Sequence, residues 1–423
     1  MVVHGEVVVP GDKSITHRVL LIAGLIRGTS RIRGALTSFD ARSTGRFLRK
    51  LHVGVSALRA DSEVRVQGSI RWRAPTGPIH CGNSGTTTRL GLGLLAAQPI
   101  SVALTGDGSL RRRPMRRVTL PLVAMGAKVA PADRETLPLT IRGGRLRGIR
   151  WELPVSSAQI KSAVLLAGLA GGVEVSVREP GGRSRDHTER LLRGLGVSVE
   201  ERGGWIHLSP PERLHPFEYE VPGDPSSAAF LVGAAVLAES GELVIRNVGV
   251  NPTRTGFLRV LERMGGRVGV VGERDQLGEP VADLVARPSA LRGTTVAADE
   301  IPGLIDEIPL LAVLAARASG TTVFHEVGEL RVKESDRLAL IAENLRSVGV
   351  LAEAQGNTLV IEGTDATPRG RIRTDGDHRI AMAFAVLGTV PGARVRVDDL
   401  ACAAVSFPNF PAVLRRAGGG RPR

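Results

Sequence analysis

A polar loop followed by an apolar helix of small residues recurs six times along this chain, and this recurrence restricts the possible folds more than any other feature. The copies begin at intervals of roughly 70 residues. They are Pro10 to Ile26, Cys81 to Ala97, Val155 to Leu169, Pro222 to Ala238, Ile301 to Ala316 and Asp375 to Leu387. Because these segments are apolar on nearly every side, we expect them to form buried helices.

Each buried helix is followed by an amphipathic helix that ends at a glycine, with strand-like stretches around the two. The expected second helices run about from Asp40 to Leu51, Pro114 to Met125, Asp186 to Leu195, Pro252 to Met264, Glu334 to Val348 and Pro408 to Arg416. Asp40 is the expected N-cap of the first, and Pro252 suits a first turn. Each unit is therefore predicted to be β-α-β-α-β-β, and the chain an α/β protein.

A Pro-Gly-Asp turn occurs twice, and three of the six units follow each copy. The units could form one solenoid, but the doubled turn favours two lobes of three units each. The predicted lobes are residues 12–222 and residues 1–11 together with 223–423. Strand Val2 to Val9 is expected to return to the C-terminal half. Two chain crossings form a hinge, and a cleft between lobes is the natural place for a ligand.

Composition excludes several classes of function. The formal net charge is +14, but basic residues are interleaved with acids, and aromatic residues make up only 3% of the chain. Scarce stacking platforms argue against a nucleic-acid binder, whereas anionic small substrates suit the positive charge. Cys81 and Cys402 form no disulfide or metal pattern, and Arg, Gly or Pro interrupts each apolar run before membrane-spanning length. No targeting signal is visible, so a soluble cytoplasmic protein is expected.

Polar clusters stand at the starts of the helices, and helices that point the same way would bring these clusters to one site. Cations dominate the clusters, which implies ligands with two or three anionic groups. The cations are Lys13, Arg18, Arg89, Arg113, Arg185, Lys333, Arg337 and Arg379. Asp306 and Glu334 are the candidate general acid and base. Nucleotide-loop and metal-ligand motifs do not occur in the sequence, so positioning, charge stabilisation and proton transfer are the favoured means of catalysis.

Each of these residues also has a structural interpretation. Four aspartates could cap helices, and Glu334 could interact with a helix dipole from the first turn. The four are Asp12, Asp306, Asp336 and Asp377. Asn83 and Thr86 could be turn residues, Arg89 could pair with a cap or carbonyl, and His187 could be structural. Repetition at equivalent points of six units favours a shared site over these separate explanations.

Seven motifs follow one another in a distinctive order. They are Pro10 to Ser14, Gly82 to Arg89, Gly106-Asp107 with Arg113 to Met115, Ser157 to Gln159, Arg185 to Glu189, Arg331 to Arg337 and Asp377 to Arg379. Over nearly the whole chain this order resembles the 5-enolpyruvylshikimate-3-phosphate synthase family. The resemblance implies an inside-out α/β barrel with a six-fold pseudo-repeat. It also implies transfer of the enolpyruvyl group of phosphoenolpyruvate to the 5-hydroxyl of shikimate 3-phosphate, with release of phosphate and without metal or organic cofactor. A monomer is expected.

The resemblance assigns roles to individual residues. The implied ligands of shikimate 3-phosphate are Ser14, Arg18, Ser157 and Arg185, with Asp306 and Lys333 at its hydroxyls. The implied phosphoenolpyruvate set is Lys13, Gly85, Arg113, Gln159, Arg337 and Arg379. Asn83, Thr86 and Ala158 complete the expected substrate-binding residues. Asp306 would accept the proton of the 5-hydroxyl, while Glu334 and Lys13 would handle protons at the enolpyruvyl carbon and the leaving phosphate.

Some positions depart from the pattern of many family members and resemble its second subclass. They are Leu90 in place of Pro, Ala158 in place of Ser, Glu329 in place of Asn and Val405 in place of Lys. The alternative of the sister enzyme that acts on a UDP-sugar predicts Lys-Asn in the first loop and a reactive Cys before Arg113, and neither occurs here. A non-catalytic anion-binding or RNA-binding repeat protein is the second alternative, and it predicts scattered cations.

Overall fold

The computed structural model describes residues 1–60, 62–133, 135–181 and 183–418, and two kinds of helix alternate along them. In chain order the α-helices are α1 (Lys13–Leu25), α2 (Phe39–Lys50), α3 (Gly85–Ala96), α4 (Arg116–Met125), α5 (Ala158–Gly171), α6 (His187–Gly194), α7 (Pro225–Val236), α8 (Gly256–Arg263), α9 (Ile308–Ala315), α10 (Arg337–Ser347), α11 (His378–Leu387) and α12 (Phe410–Ala417). Nearly every residue of the odd-numbered helices is buried, which confirms the expectation for the six apolar segments. Among these described residues, no helix is both long and apolar enough to cross a membrane.

The strands are short and separate the helices. They are β1 (Val2–Val8), β2 (Gly28–Arg33), β3 (Gly54–Val55), β4 (Val64–Gly68), β5 (Ile79–His80), β6 (Ser101–Thr105), β7 (Lys128–Ala130), β8 (Leu139–Arg142), β9 (Ile149–Glu152), β10 (Val175–Arg178), β11 (Ser198–Arg202), β12 (Trp205–Ser209), β13 (Glu218–Glu220), β14 (Ser240–Gly249), β15 (Arg267–Gln276), β16 (Glu279–Arg287), β17 (Thr295–Val296), β18 (Thr321–Phe324), β19 (Leu351–Gln355), β20 (Thr358–Glu362), β21 (Arg369–Ile372) and β22 (Arg394–Val397).

One strand order recurs in the sheets. The strand before a buried helix pairs in parallel with the strand after it, and that strand pairs antiparallel with the last strand of the unit. The four-stranded orders are β13-β2-β4-β3, β5-β6-β8-β7, β9-β10-β12-β11, β1-β14-β16-β15 and β17-β18-β20-β19, and β21 pairs with β22. A helix must cross between parallel neighbours, so this order follows from the β-α-β-α-β-β sequence. The predicted α/β class is confirmed.

Two sheets take their first strand from a distant part of the chain. β1 pairs in parallel with β14, with Val2 opposite Ser240, so the first strand does join the C-terminal half as expected. β13 pairs in parallel with β2, with Glu218 opposite Arg31. The strands β1 and β13 each end close to one of the two Pro-Gly turns.

The described chain divides into two compact units, and each has its own hydrophobic core. The N-terminal unit comprises Gly11–Val221 together with Asp275–Glu279. The C-terminal unit comprises Met1–Pro10, Pro222–Arg274 and the chain from Pro280 onward. Valine, leucine, isoleucine and alanine dominate both cores, as the low aromatic content requires.

The predicted lobes place residues 275–279 in the C-terminal lobe, whereas the structure groups them with the N-terminal unit. They form the tip of the β15–β16 hairpin, where Gly278 adopts a φ of 88°. His187 Nδ1 lies 2.7 Å from Glu279 Oε1, and Arg190 donates to the Gly278 carbonyl at 3.1 Å. These contacts join residues far apart in sequence, so the sequence did not indicate them. The rest of the predicted division stays a prediction.

Several helix starts differ from the predicted ones, among them those of α2 and α8. Ser38 is the N-cap of α2 because its backbone is extended, and Asp40 lies inside the first turn. Helix α8 begins at Gly256 rather than at Pro252. Because of the shift at α2, the Asp40 side chain does not have the expected capping role, which matters for the site described next.

Candidate functional site

The start of α1 brings a lysine next to an acid of α2, and a serine follows the lysine. Asp12 caps α1 by accepting a hydrogen bond from the Ile15 backbone at 2.8 Å, so its capping interpretation is confirmed. Lys13 is the first residue of the helix, and its Nζ lies 3.6 Å from Asp40 Oδ2. Ser14 follows on the same turn and is buried. The helix start therefore places an ammonium group and a hydroxyl group beside the positive end of a helix dipole.

Arg18 is almost fully buried one turn further along α1. Its Nε donates to Thr188 Oγ1 at 2.7 Å, its Nη2 to Ser162 Oγ at 2.8 Å and its Nη1 to the Ser14 carbonyl at 3.0 Å. Burial lowers the pKa of Arg18 to about 10, so the guanidinium stays charged at neutral pH. These bonds join α1 to α5 and α6, whereas the sequence predicted only a ligand for this side chain.

The loop before α3 orients Arg113. Arg113 Nη2 donates to Asn83 Oδ1 at 2.6 Å, and Asn83 Nδ2 donates in turn to Asp107 Oδ2 at 2.8 Å. A Cβ atom on Gly85 would lie 3.5 Å from Arg113 Nη1 and 3.0 Å from Arg89 Nη1. The missing side chain at Gly85 therefore leaves room beside two guanidinium groups, which is what an anionic ligand needs.

Gln159 lies in the first turn of α5, directly after Ala158. Arg89 Nη1 donates to Gln159 Oε1 at 2.6 Å, and Gln159 Nε2 donates to Thr86 Oγ1 at 3.0 Å. Arg89 Nη2 also donates to the Pro114 carbonyl at 3.2 Å, which confirms the carbonyl pairing considered for this residue. The side chain of Gln159 is thus fixed from both ends by the neighbouring helix.

Ser157 and Arg185 come from two loops of the same sheet. Ser157 is the N-cap of α5, and its backbone N–H donates to Glu179 Oε1 at 3.0 Å. Arg185 is half-buried just before α6. Its charge contributes, after burial itself, to the lowered pKa of Arg18. The N-terminal unit therefore gathers Lys13, Ser14, Arg18 and Arg185 at the starts of α1 and α6.

In the C-terminal unit, Asp306 lies next to two arginines. Its Oδ1 is 3.5 Å from Arg337 Nη1, and its Oδ2 is 3.6 Å from Arg379 Nη2. Arg379 Nη1 also donates to the Asp306 carbonyl at 3.1 Å. The N-cap of α9 is Glu307, so the capping interpretation of Asp306 is wrong. Burial raises the pKa of the Glu307 carboxyl, which accepts a hydrogen bond from Ser226.

Arg337 is fully buried at the first position of α10 and is surrounded by acids. It forms ion pairs with Asp377, Glu334 and Asp306. Burial alone would lower the pKa of Arg337, but the three carboxylates outweigh burial and raise it. The guanidinium is therefore a permanent positive charge at this position.

Asp377 holds both arginines in place from the start of α11. Its Oδ2 accepts hydrogen bonds from Arg337 Nε at 2.7 Å and from Ser335 Oγ at 3.0 Å, and its Oδ1 accepts one from the Arg379 backbone at 2.9 Å. Burial works to raise the pKa of Asp377, but the charge of Arg337 overcomes it and leaves this pKa below its usual value. The capping interpretations of Asp377 and Asp336 are confirmed.

Lys333 and Glu334 lie in the loop before α10. Lys333 follows the 3-10 turn Gly328–Val332 and is half-buried. The predicted helix from Glu334 is wrong at its start, because Asp336 is the N-cap and the helix begins at Arg337. Glu334 therefore does not act through the first turn of a helix, and its carboxylate instead pairs with Arg337.

The sequence predicted the cations of the candidate site more completely than the acidic residues that contact the site. Asp40, Glu179 and Glu307 all contact predicted site residues, and none was assigned a catalytic or binding role. Asp40 was interpreted as a cap, and Glu307 stood beside Asp306 without a distinguishing pattern. Glu179 had no local signal, because its partners lie in two other segments. Among the described residues, no three His, Cys, Asp or Glu side chains are grouped so as to hold a metal ion.

Fold and side chains together define an α/β protein with cations and carboxylates grouped at the starts of helices in each of its two compact units. A family model described as EPSP synthase (3-phosphoshikimate 1-carboxyvinyltransferase) matches residues 2–414. The chain belongs to the EPSP synthase family.

Relatives with close sequences support this membership. The 3-phosphoshikimate 1-carboxyvinyltransferase of Desulforudis audaxviator is 47% identical over 409 residues, which cover 96% of this chain and 95% of the relative. That of Desulfitobacterium hafniense (strain DSM 10664 / DCB-2) is 46% identical over 411 residues, covering 96% and 94%.

Solved structures of related proteins have the same fold as this chain. The EPSP synthase of Acinetobacter baumannii superposes with a TM-score of 0.88 at 39% identity, covering 98% of this chain and 96% of that one. The enolpyruvyl transferase NikO of Streptomyces tendae has a TM-score of 0.77 at 18% identity, covering 98% and 95%, which shows a shared fold.

Proposed function

We propose that this protein transfers the enolpyruvyl group of phosphoenolpyruvate to the 5-hydroxyl of shikimate 3-phosphate and releases phosphate. The reaction is a step of the shikimate pathway, which leads through chorismate to the aromatic amino acids. The observation that carries the proposal is Asp306, whose carboxylate lies 3.5 Å and 3.6 Å from two arginines in a chain of the EPSP synthase family. A carboxylate beside cations can accept a proton from a substrate that the cations hold.

Each substrate has its own set of residues under this proposal. Shikimate 3-phosphate binds to the N-terminal unit through Ser14, Arg18, Ser157 and Arg185, and its hydroxyls bind to Asp306 and Lys333. Phosphoenolpyruvate binds to Lys13, Gly85, Arg113, Gln159, Arg337 and Arg379. Guanidinium pairs suit its carboxylate and phosphate because arginine can donate two parallel hydrogen bonds to either group.

Three other residues of the predicted site support this binding indirectly. Asn83 orients Arg113 and Thr86 orients Gln159 through the hydrogen bonds given above. Ala158 precedes Gln159 in the first turn of α5, where a small side chain leaves the helix start open to a ligand. These contacts favour Asn83 and Thr86 as residues that position the binding groups.

The proposed chemistry is an addition followed by an elimination. Asp306 accepts the 5-hydroxyl proton while the oxygen bonds to the enol carbon, and Glu334 donates a proton to the methylene carbon. A proton then returns from the methyl group to Glu334, the double bond re-forms, and phosphate leaves with a proton donated by Lys13. The proton held by Asp306 then passes through solvent to Lys13, so all three groups return to their starting states. Arg337 holds the side chain of Glu334 in a defined orientation through their contact.

The reaction is tested by measuring phosphate release from the purified protein. We expect release only when phosphoenolpyruvate and shikimate 3-phosphate are both present, together with formation of an enolpyruvyl ether detectable by mass spectrometry. Release from phosphoenolpyruvate alone, or none with both substrates, contradicts the proposal. Release with a UDP-sugar as acceptor supports the sister enzyme instead.

We also propose that the protein acts as a cytoplasmic monomer without nucleic acid. The mass of the chain, 44.7 kDa, is the value expected from light scattering on a gel-filtration column. A mass near twice this value, or a strong ultraviolet absorbance ratio typical of bound nucleic acid, contradicts the proposal. Fractionation of the source cells with antibody detection tests the location.

A further inference from the structure

A buried carboxylate, that of Glu179, links the two loops that carry Ser157 and Arg185. Glu179 follows β10, and its side chain is only 7% exposed. Its Oε1 accepts hydrogen bonds from the Ser157 backbone at 3.0 Å and from Ser184 Oγ at 2.5 Å. Its Oε2 accepts bonds from Lys161 Nζ at 2.8 Å and from the Ser184 backbone at 3.2 Å. Glu179 therefore satisfies donors on both loops at once.

Lys161 supports this carboxylate from inside helix α5. Its side chain is 1% exposed, and its Nζ lies 2.8 Å from Glu179 and 2.8 Å from Glu189 of α6. It also donates to the Ser184 carbonyl at 3.4 Å. Burial would lower the pKa of Lys161, but the two glutamates raise it, so the ammonium remains charged. The network thus connects α5, α6 and both loops through one buried cation.

Stability alone is a weak reason for such a network. A buried ion pair contributes little net stability compared with apolar side chains of the same volume, because both charges lose their hydration. The network instead fixes local geometry. Hydrogen bonds from two backbone N–H groups hold the two loops in defined positions relative to one carboxylate. The loops fixed in this way contain Ser157 and the residue next to Arg185.

We propose that Glu179 is a positioning residue for shikimate 3-phosphate. It holds the Ser157 loop and the Ser184–Arg185 loop at the separation that the substrate requires, and it acts without touching the substrate. Lys161 fixes the orientation of the Glu179 carboxylate. This inference rests on the proposed function, because that function makes Ser157 and Arg185 ligands of one substrate.

The test replaces Glu179 by glutamine and measures the effect on each of the two substrates separately. Glu179→Gln keeps an acceptor oxygen, but its amide nitrogen cannot accept the bonds from Lys161 and the Ser184 backbone. We expect the KM for shikimate 3-phosphate, and its calorimetric Kd without phosphoenolpyruvate, to rise about tenfold, which corresponds to the loss of one well-placed interaction. The KM for phosphoenolpyruvate should change by less than about twofold, well below that tenfold step.

Glu152→Gln is the matched control, because Glu152 pairs with Arg178 on the exposed side of the same sheet. It should leave both KM values unchanged. Ser184→Ala is the milder second variant, and it removes only the hydroxyl donor to Glu179. It should raise the KM for shikimate 3-phosphate by a smaller factor than Glu179→Gln does. Ser184→Ala therefore tests the positioning role of Glu179 even if Glu179→Gln does not fold.

The results distinguish this inference from the proposed function. Product formation by the wild-type protein tests the function, and the KM ratio between substrates tests Glu179. A lower melting temperature with both KM values unchanged in Ser184→Ala and Glu179→Gln shows a purely structural role and overturns the inference. Equal increases in both KM values overturn it as well, because they indicate general disorder of the site.

Discussion

Asp306 lies between Arg337 and Arg379, so its carboxylate can both orient the arginines and accept a proton. The substitution Asp306→Asn separates these functions, since the amide has nearly the same shape but a negligible affinity for a proton. We expect kcat to fall by a factor of about 10² to 10⁴, the usual loss when a general base is removed. Steady-state kinetics measure this effect.

The control for this prediction is Asp299→Asn, an exposed aspartate in the segment before α9. It should keep the wild-type kcat. Circular dichroism should show the same helix content for both variants. A kcat of Asp306→Asn within a few-fold of wild type contradicts the assignment of Asp306 as the base.

Asp377 and Arg337 form the most buried ion pair of the C-terminal unit, and the pKa of Asp377 lies below the usual value of 3.8. A carboxyl with a lowered pKa stabilises the folded state fully above its unfolded pKa, and this contribution is lost as the pH falls through the folded pKa. We therefore expect the stability difference between wild type and Asp377→Asn to be large at pH 7 and to shrink below about pH 4.

Urea unfolding at several pH values measures this difference. At pH 7 the loss should be about 3–5 kcal/mol, because Arg337 is left as a buried charge without its main partner. Asp336→Asn is the control, since Asp336 caps α10 but is well exposed, and asparagine caps a helix nearly as well, so the loss should stay below about 1 kcal/mol. A pH-independent difference for Asp377→Asn would show that its charge does not contribute.

At the scale of elements, close contact between α3 and α5 sets the positions of Thr86 and Gln159. A Cβ on Gly93 of α3 would lie 2.2 Å from the Ala163 carbonyl of α5, far inside van der Waals contact. Gly93→Ala must therefore push the helices apart. We expect a loss of about 1–3 kcal/mol in stability, as for other overpacked cores, and a higher KM for phosphoenolpyruvate because the bond between Thr86 and Gln159 lengthens.

Gly77→Ala is the control, because nothing lies within 4 Å of its Cβ position. It should leave the melting temperature and the kinetics unchanged. An unchanged melting temperature in Gly93→Ala would mean that α5 moves freely away from α3.

The elements were predictable from sequence because each depends on local patterns. An apolar run after a polar loop determines a buried helix, and all six such segments form one. The long-range acids were not predictable in the same way. Asp377 binds Arg337 across 40 residues, and Asp306 binds Arg379 across 73. No local pattern encodes such pairs, so the sequence placed these residues at predicted helix starts but did not show which carboxylate pairs with which cation.

At the scale of the whole molecule, the two units have separate hydrophobic cores, and one of the units contains all the tryptophans. The three tryptophans of the chain, Trp72, Trp151 and Trp205, all belong to the N-terminal unit. Tryptophan fluorescence therefore follows that unit, whereas far-ultraviolet circular dichroism follows the helices of both. Units with separate cores generally unfold as separate cooperative steps.

This separation predicts an asymmetric response to substitution. Asp377→Asn weakens the C-terminal unit, so the urea midpoint seen by circular dichroism should decrease while the midpoint seen by fluorescence changes little. Gly93→Ala weakens the N-terminal unit and should lower the fluorescence midpoint first. If both probes shift together in both variants, the two cores unfold in a single cooperative transition. The comparison of the two variants thus measures how far each core stabilises its own unit, because Asp377 lies in one unit and Gly93 in the other.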